Sequence, residues 1–220
     1  YGWTAEWSQT PAGLPDVAAA IRERTTDVLV EYAVGPECQL GDYLDVLDSR
    51  PRPDLAQLRI TPTQYGRRVA TRRTRKDVDS FLEVLQDRNI KQNLLIQSGR
   101  DIQELYRLIE ADMITDPLVT LRLGAREGAV ATPLTLIALT DAIPDSADVF
   151  VGATGPNQFP LTTQALFLGT HIRVGMADNR YLGYEQPVEH NARLVQRVAE
   201  VVSHSERSLA EEATALLDLT

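Results

Sequence analysis

Positions 169–182 read Gly-Thr-His-Ile-Arg-Val-Gly-Met-Ala-Asp-Asn-Arg-Tyr-Leu. This stretch predicts a short strand over 170–174, after an apolar helix, with Ile172 and Val174 as its apolar residues. Successive side chains of a strand point to opposite faces, so the two apolar residues face one way while His171 and Arg173 face the other. An inward guanidinium needs a paired charge, and the nearest acid is Asp178. We therefore expect an Arg173–Asp178 pair at the carboxyl end of a strand, where α/β proteins keep their chemistry.

The composition is that of an ordinary globular protein, with 43% hydrophobic residues in 220. A net charge of −9 argues against a general nucleic-acid binder. The single Cys38 excludes an internal disulfide framework. No apolar run reaches the roughly 18 residues of a membrane span, and no signal peptide is visible. We expect one cytoplasmic domain over 1–220 that binds neither nucleic acid nor membrane.

Strand and helix patterns alternate along the rest of the chain. Strands are predicted at 27–34, 55–60, 93–97, 118–123, 148–151 and 170–174. Helices are predicted at 15–24, 40–47, 74–88, 101–111, 133–141, 159–168, 188–202 and 208–217. This alternation indicates an α/β fold with a parallel sheet, either an open doubly wound sheet or a (β/α)8 barrel. No Gly-x-Gly-x-x-Gly follows a strand, which weakens the dinucleotide-binding alternative.

The same stretch resembles the last barrel strand of the beta-keto acid cleavage enzyme family. That family has Gly-Gly-His-x-Arg-x-Gly-x-Glu-Asp-Asn here, and the chain matches it at Gly169, His171, Arg173, Gly175, Asp178 and Asn179. Thr170 stands at the family's second Gly, and the departure that bears on the chemistry is Ala177, which corresponds to the family's metal-ligand Glu. The resemblance implies a (β/α)8 barrel of the TIM-barrel type. Two family strands precede the first strand predicted here, and we expect them upstream of Tyr1 or lost.

The resemblance also implies a function. The family condenses a beta-keto acid with acetyl-CoA, which gives acetoacetate and a new CoA thioester. On this basis we expect a homo-oligomeric, acyl-CoA-dependent enzyme that cleaves a carbon–carbon bond, with Asp178 as the base and Arg173 as its partner. The alternative is a non-catalytic or metal-free homologue that binds a small acid or a CoA-type ligand on the same barrel.

Two segments are candidate binding sites for the substrate and CoA. The loop with Gly152, Gly155, Asn157 and Gln158 lies between a strand and a helix, where backbone amides suit a phosphate or carboxylate. A simple Gly/Pro/Asn-rich turn explains that loop equally well. Arg72 and Arg73 belong to a basic run at 67–76, and arginine binds phosphate through two parallel hydrogen bonds. The alternative for this run is a solvated loop or a subunit contact.

The family's zinc site is where this sequence departs most. The family binds zinc through a His-x-His pair on its second strand and the Glu that Ala177 replaces. By position the pair falls near residues 1–4, which read Tyr-Gly-Trp-Thr, or upstream of them. A further carboxylate of the family, on its fifth strand, corresponds by position to a site near Leu95 in this chain. We therefore predict no catalytic zinc, and we expect His171 to be a core histidine rather than a ligand.

Overall fold

A computed structural model describes residues 11–33, 38, 40–61, 74–125, 128–183 and 185–204. Their strands are β1 (Glu31–Tyr32), β2 (Leu55–Arg59), β3 (Lys91–Ile96), β4 (Leu118–Leu123), β5 (Asp148–Ala153), β6 (His171–Ile172), β7 (Tyr181–Gly183) and β8 (Gln186–Pro187). Their α-helices are α1 (Leu14–Arg22), α2 (Leu40–Leu47), α3 (Arg75–Asp87), α4 (Gly99–Glu110), α5 (Pro133–Asp141), α6 (Gln158–Phe167) and α7 (Asn191–Ser203). None of these helices is both long and apolar enough to cross a membrane.

The main sheet follows chain order. Strands β1 to β6 pair as consecutive neighbours, and every pair is parallel. A doubly wound sheet reverses its strand order at a switch point, whereas a barrel wall does not. The sheet is therefore a partial (β/α)8 barrel, as predicted. Strands β7 and β8 form a separate antiparallel hairpin after β6.

The two faces of the sheet differ in chemistry. Side chains in register on neighbouring parallel strands share a face, and one face is buried under the helices. It carries the apolar residues Tyr32, Ala56, Leu58, Leu94, Ile96, Val119, Leu121, Leu123, Val151 and Ala153, each at most 2% exposed. The opposite face, called the inner face here, carries the polar residues Glu31, Gln57, Asn93, Thr120, Arg122 and Arg173, together with Gly152. Near the start of the strands an apolar cluster of Leu29, Leu55, Leu118 and Phe150 lies on this face.

Most predicted elements are confirmed, and two of the errors lie at the sheet edges. The predictions for α2, β4 and α5 match the structure residue for residue. Thr74 and Asp77 form the predicted capping box at the start of α3. The predicted strands 27–34 and 170–174 are too long, because each is an edge strand and only two residues of each pair with a neighbour.

Two further differences from the predicted elements follow β6 along the chain. The β7–β8 hairpin was not predicted, and the helix predicted over 188–202 begins only at Asn191. Position 34 and the helix predicted over 208–217 lie outside the described residues.

Candidate active site

Asp178 lies between two arginines above the inner face. Arg173 Nε donates to Asp178 Oδ2 at 3.0 Å, which confirms that the predicted pair is in contact. Arg122 Nη2 lies 2.7 Å from Asp178 Oδ1, an ion-pair contact that lacks the geometry of a hydrogen bond. The Asp178 side chain is only 2% exposed, against 19% for Arg173 and 26% for Arg122. A buried carboxylate is thus compensated by two guanidinium groups, as burial of a charge requires.

The turn after β6 places Asp178 over the strand ends. Arg173 N donates to Val151 O at 2.8 Å, so the chain stays beside β5 for one residue beyond β6. Asp178 N then donates to Gly175 O at 3.1 Å, which closes a turn and brings the carboxylate back toward the sheet. Gly155 N donates to Asp178 O at 2.8 Å and ties this turn to the loop after β5.

Gly152 makes room for the arginines. It is in register with Arg122 on β4, and the pairing of β5 with β6 places it beside Arg173. A Cβ built at Gly152 would lie 3.4 Å from Cβ and Cδ of Arg173. The Arg173 side chain therefore lies across this glycine, and a larger side chain at Gly152 would collide with it.

Glu31 belongs to a second polar group on the same face. Its carboxylate accepts hydrogen bonds from Asn93 Nδ2 and, at 3.3 Å, from Gln57 Nε2. Thr120 Oγ1 donates to Asn93 Oδ1 at 3.0 Å. Burial raises the pKa of Glu31 above its ordinary value, while the Asn93 hydrogen bond and the Arg173 charge lower it. Glu31 therefore favours its protonated form more than an exposed glutamate does.

The two polar groups meet in one cleft. Arg173 Nη1 donates to Gln57 Oε1 at 3.4 Å, which links the group around Asp178 to the group around Glu31. A cleft of about 250 Å³ opens between the edge strands β1 and β6. It is lined by Leu14, Glu31, Ala33, Arg173, Val174, Gly175, Ala177, Asp178 and Asn191. Polar side chains in this lining come from Glu31, Arg173, Asp178 and Asn191, and at the strand ends they can contact a small polar ligand.

The loop predicted to bind CoA is tied to this site by hydrogen bonds. Besides the bond from Gly155 N, Gln158 Nε2 donates to Gly175 O at 3.0 Å from a side chain that is buried. Asn157 is exposed just before α6. These bonds give Gly155 and Gln158 a structural role, while their role toward a ligand stays a prediction. Arg72 and Arg73 lie outside the described residues.

His171 differs from its prediction. It is exposed rather than part of the core, because β6 is an edge strand and its side chain faces the open inner side. Its ring stacks on Phe150 with ring centroids 4.8 Å apart. Phe150 lies in the first half of β5, so this contact is on the inner face but toward the amino ends of the strands, away from the carboxyl ends that hold Asp178.

The described residues do not fit a zinc site. Within 11–33, 38, 40–61, 74–125, 128–183 and 185–204, no three His, Cys, Asp or Glu side chains lie close enough to hold a metal ion. Asp178 has an arginine at each carboxylate oxygen, and Ala177 in the cleft lining has no donor atom. The prediction that this chain binds no catalytic zinc stays a prediction, since residues 1–10 are not described.

Sequence reasoning missed Arg122, Glu31, Gln57 and Asn93 as site residues. Each is a polar residue within or beside a strand whose neighbours are apolar, such as Leu121-Arg122-Leu123 and Val30-Glu31-Tyr32. Alternation of this kind on successive parallel strands was the available signal. It would have indicated one polar face.

Comparisons with known proteins show the family and the fold. Residues 4–219 match the model of the beta-keto acid cleavage enzyme family. The 3-keto-5-aminohexanoate cleavage enzyme of Acetoanaerobium sticklandii is 26% identical over 197 residues, which cover 89% of this chain and 72% of that enzyme. The enzyme of the same name from Fusobacterium nucleatum is 26% identical over 203 residues, 91% of this chain and 74% of that enzyme. The 3-dehydrocarnitine:acetyl-CoA trimethylamine transferase of Rhizobium meliloti is 32% identical over 97 residues, 44% of this chain and 32% of the transferase.

Solved structures of ObcA share the fold. The apo structure superposes with a TM-score of 0.67 at 12% identity, over 96% of this chain and 55% of that chain. The binary complex with oxaloacetate gives a TM-score of 0.68 at 13% identity, over 96% of this chain and 56% of that chain. The present chain thus spans little more than half the length of ObcA. Because the family model covers nearly the whole chain, this protein belongs to the beta-keto acid cleavage enzyme family.

Proposed function

We propose that this protein condenses a beta-keto acid with acetyl-CoA and releases acetoacetate and a new CoA thioester. The observation that carries the proposal is the carboxylate of Asp178, which two arginines hold at the strand ends beside the cleft. Membership of the family and the acetyl-CoA in the name of one relative support the substrate class.

In this proposal Asp178 is the base. It takes a proton from the carbon that lies between the ketone and the carboxylate of the substrate, and leaves an enolate. Arg173 spans the cleft from Asp178 to Gln57, so its charge lies beside the position where the enolate forms. A fixed positive charge at that position lowers the energy of the anionic transition state. Gly152 supports this geometry because it leaves room for the Arg173 side chain.

We assign the thioester to the loop after β5 and to the basic run. Asn157 is exposed at the start of the ten-residue helix α6, where a CoA phosphate or carbonyl would meet backbone amides. Arg72 and Arg73 would add charge to the phosphates. Charge contacts are screened by salt, so the dissociation constant of CoA should rise with ionic strength. It should also rise when Arg72 and Arg73 are both replaced by Ala.

A second candidate is a homologue that binds a small acid or CoA-type ligand without catalysis. One observation favours it, because both carboxylate oxygens of Asp178 are already engaged by arginines. A base in this arrangement still has a lone pair left on each oxygen. The two candidates share the cleft and differ in turnover.

A mass-spectrometric assay distinguishes them. The protein is incubated with acetyl-CoA and a panel of beta-keto acids, and acetoacetate and new CoA thioesters are measured. We expect turnover by the wild type and its loss in Asp178→Asn. The control is Arg88→Met, because Arg88 also pairs with a carboxylate, that of Asp48, outside the cleft and the basic run. Ligand-induced stabilisation without any acetoacetate would favour the binding homologue.

A further inference from the structure

The inner face holds an arginine that lies far in sequence from the segment 169–179. Arg122 Nη2 lies 2.7 Å from Asp178 Oδ1, and Arg173 Nε donates to Oδ2 at 3.0 Å. We propose that Arg122 is a positioning residue that shares the Asp178 carboxylate with Arg173. The shared contact stands on the geometry alone, whereas its consequence for catalysis rests on the proposed function.

The strand register supports a built arrangement. Arg122 pairs with Gly152 across β4 and β5, and Arg173 follows beside Gly152 on the next strand. Three residues in one row thus face the same side, and the middle one has no side chain. The side chains of Arg122 and Arg173 extend over Gly152 and both contact Asp178. The turn after β6 places the Asp178 carboxylate over this row of residues.

The two arginines act on the carboxylate from two sides. The hydrogen bond from Arg173 Nε orients Oδ2, and the charge of Arg122 lies beside Oδ1, which has no hydrogen-bond partner among the described residues. Rotation of the group about its Cβ–Cγ bond would carry the oxygens away from these two charges, and a lone pair remains on each oxygen. In the proposed reaction, this sets the direction from which Asp178 meets the proton of the substrate.

The first test does not need an activity. Asp178→Ala removes the carboxylate and leaves both guanidinium groups facing the space it filled. Sodium formate should fill that space and raise the melting temperature of Asp178→Ala by about 3 °C at a concentration near ten times its dissociation constant. Sodium chloride is the control for ionic strength, and the wild type should not respond to formate. The response should be lost in Asp178→Ala/Arg122→Gln and in Asp178→Ala/Arg173→Gln. A full formate response without Arg122 would overturn the proposal.

A second test covers the case in which Asp178→Ala does not fold. Arg122→Gln, Arg173→Gln and the double variant are melted with Asp178 intact. Either single change leaves the carboxylate one arginine, while the double change leaves it none. The fall in melting temperature of the double variant should therefore exceed the sum of the two single falls. An additive or smaller fall would show that the arginines do not share Asp178.

A third test addresses catalysis. If the wild type turns over a beta-keto acid, Arg122→Gln should lower kcat and leave KM for acetyl-CoA unchanged. Arg122→Lys should restore part of the lost kcat, because it returns a positive charge to the same position. An unchanged kcat in Arg122→Gln would overturn the positioning role. If the wild type makes no acetoacetate, the proposed function fails, and the formate and melting tests still decide whether Arg122 shares Asp178.

Discussion

Arg173→Met removes the guanidinium from the centre of the site and keeps an unbranched side chain over Gly152. The change therefore tests the charge of Arg173 more than its packing. Asp178 would keep Arg122 as its remaining partner. The contact from Arg173 Nη1 to Gln57 would also be lost.

The burial of the pair sets the expected loss of stability. The Asp178 side chain is 2% exposed and that of Arg173 is 19% exposed, so solvent replaces little of the lost contact. Removing one partner of a buried ion pair costs roughly 3–5 kcal/mol. Because Arg122 remains, we expect the lower end, about 3 kcal/mol. For a chain of 220 residues, this corresponds to a fall in melting temperature of roughly 6–12 °C.

Thermal and urea unfolding followed by circular dichroism measure this loss. Arg88→Met is the control, because Arg88 also makes two contacts with one carboxylate, that of Asp48, outside the cleft and the basic run. The Asp48 side chain is 47% exposed, so the loss of Arg88 should cost much less stability. Turnover should fall in Arg173→Met and persist in Arg88→Met. A stability loss no larger than that of the control, with normal turnover, would refute both the buried pair and its catalytic role.

Three further predictions concern the same face. Burial raises the pKa of Glu31, so the folded state favours the protonated acid. The resulting stabilisation is complete below the unfolded-state pKa near 4.5. It is lost as the pH rises through the higher pKa of the folded state. The melting temperature of the wild type minus that of Glu31→Gln should therefore fall as pH rises from about 4, and a difference independent of pH would contradict the burial of this carboxyl. Gly152→Val should lower both the melting temperature and turnover, because the added methyl groups would displace Arg173. The control Gly99→Val should not affect turnover, because a Cβ built at Gly99 has no other atom within 4 Å. Elemental analysis of protein purified without chelator should show no stoichiometric zinc; zinc that depends on His171 or Asp178 would contradict the donor set.

Local sequence was enough to predict a parallel α/β sheet and one contact of the site, whereas the prediction of a barrel came from the family resemblance. The alternation of strands and helices indicated a parallel sheet. The spacing from Arg173 to Asp178 placed both at one strand end, because five residues suffice for a turn that returns to the sheet. The capping box at Thr74 was predictable for the same reason, since both partners lie within one helical turn.

The rest of the site depends on contacts between distant strands. Arg122 meets Asp178 only because β4, β5 and β6 are neighbours in a particular register. The β7–β8 hairpin was hidden because Glu185 occupies its turn with φ of 54°, a conformation more typical of glycine or asparagine. Val28 was predicted in a strand, but it is 43% exposed and has no strand partner among the described residues.

We propose that the Asp178 carboxylate, held by arginines, catalyses the condensation of a beta-keto acid with acetyl-CoA. This proposal is tested with acetyl-CoA labelled with carbon-13 in the acetyl group, with wild type and Asp178→Asn at equal folded concentration. Mass spectrometry then follows acetoacetate in both reactions. We expect labelled acetoacetate from at least one beta-keto acid with the wild type, and at least a hundredfold less with Asp178→Asn, in line with the roughly 10²–10⁴-fold contribution of a positioned base. Equal rates in the two proteins, or no labelled acetoacetate from any acid, would contradict it.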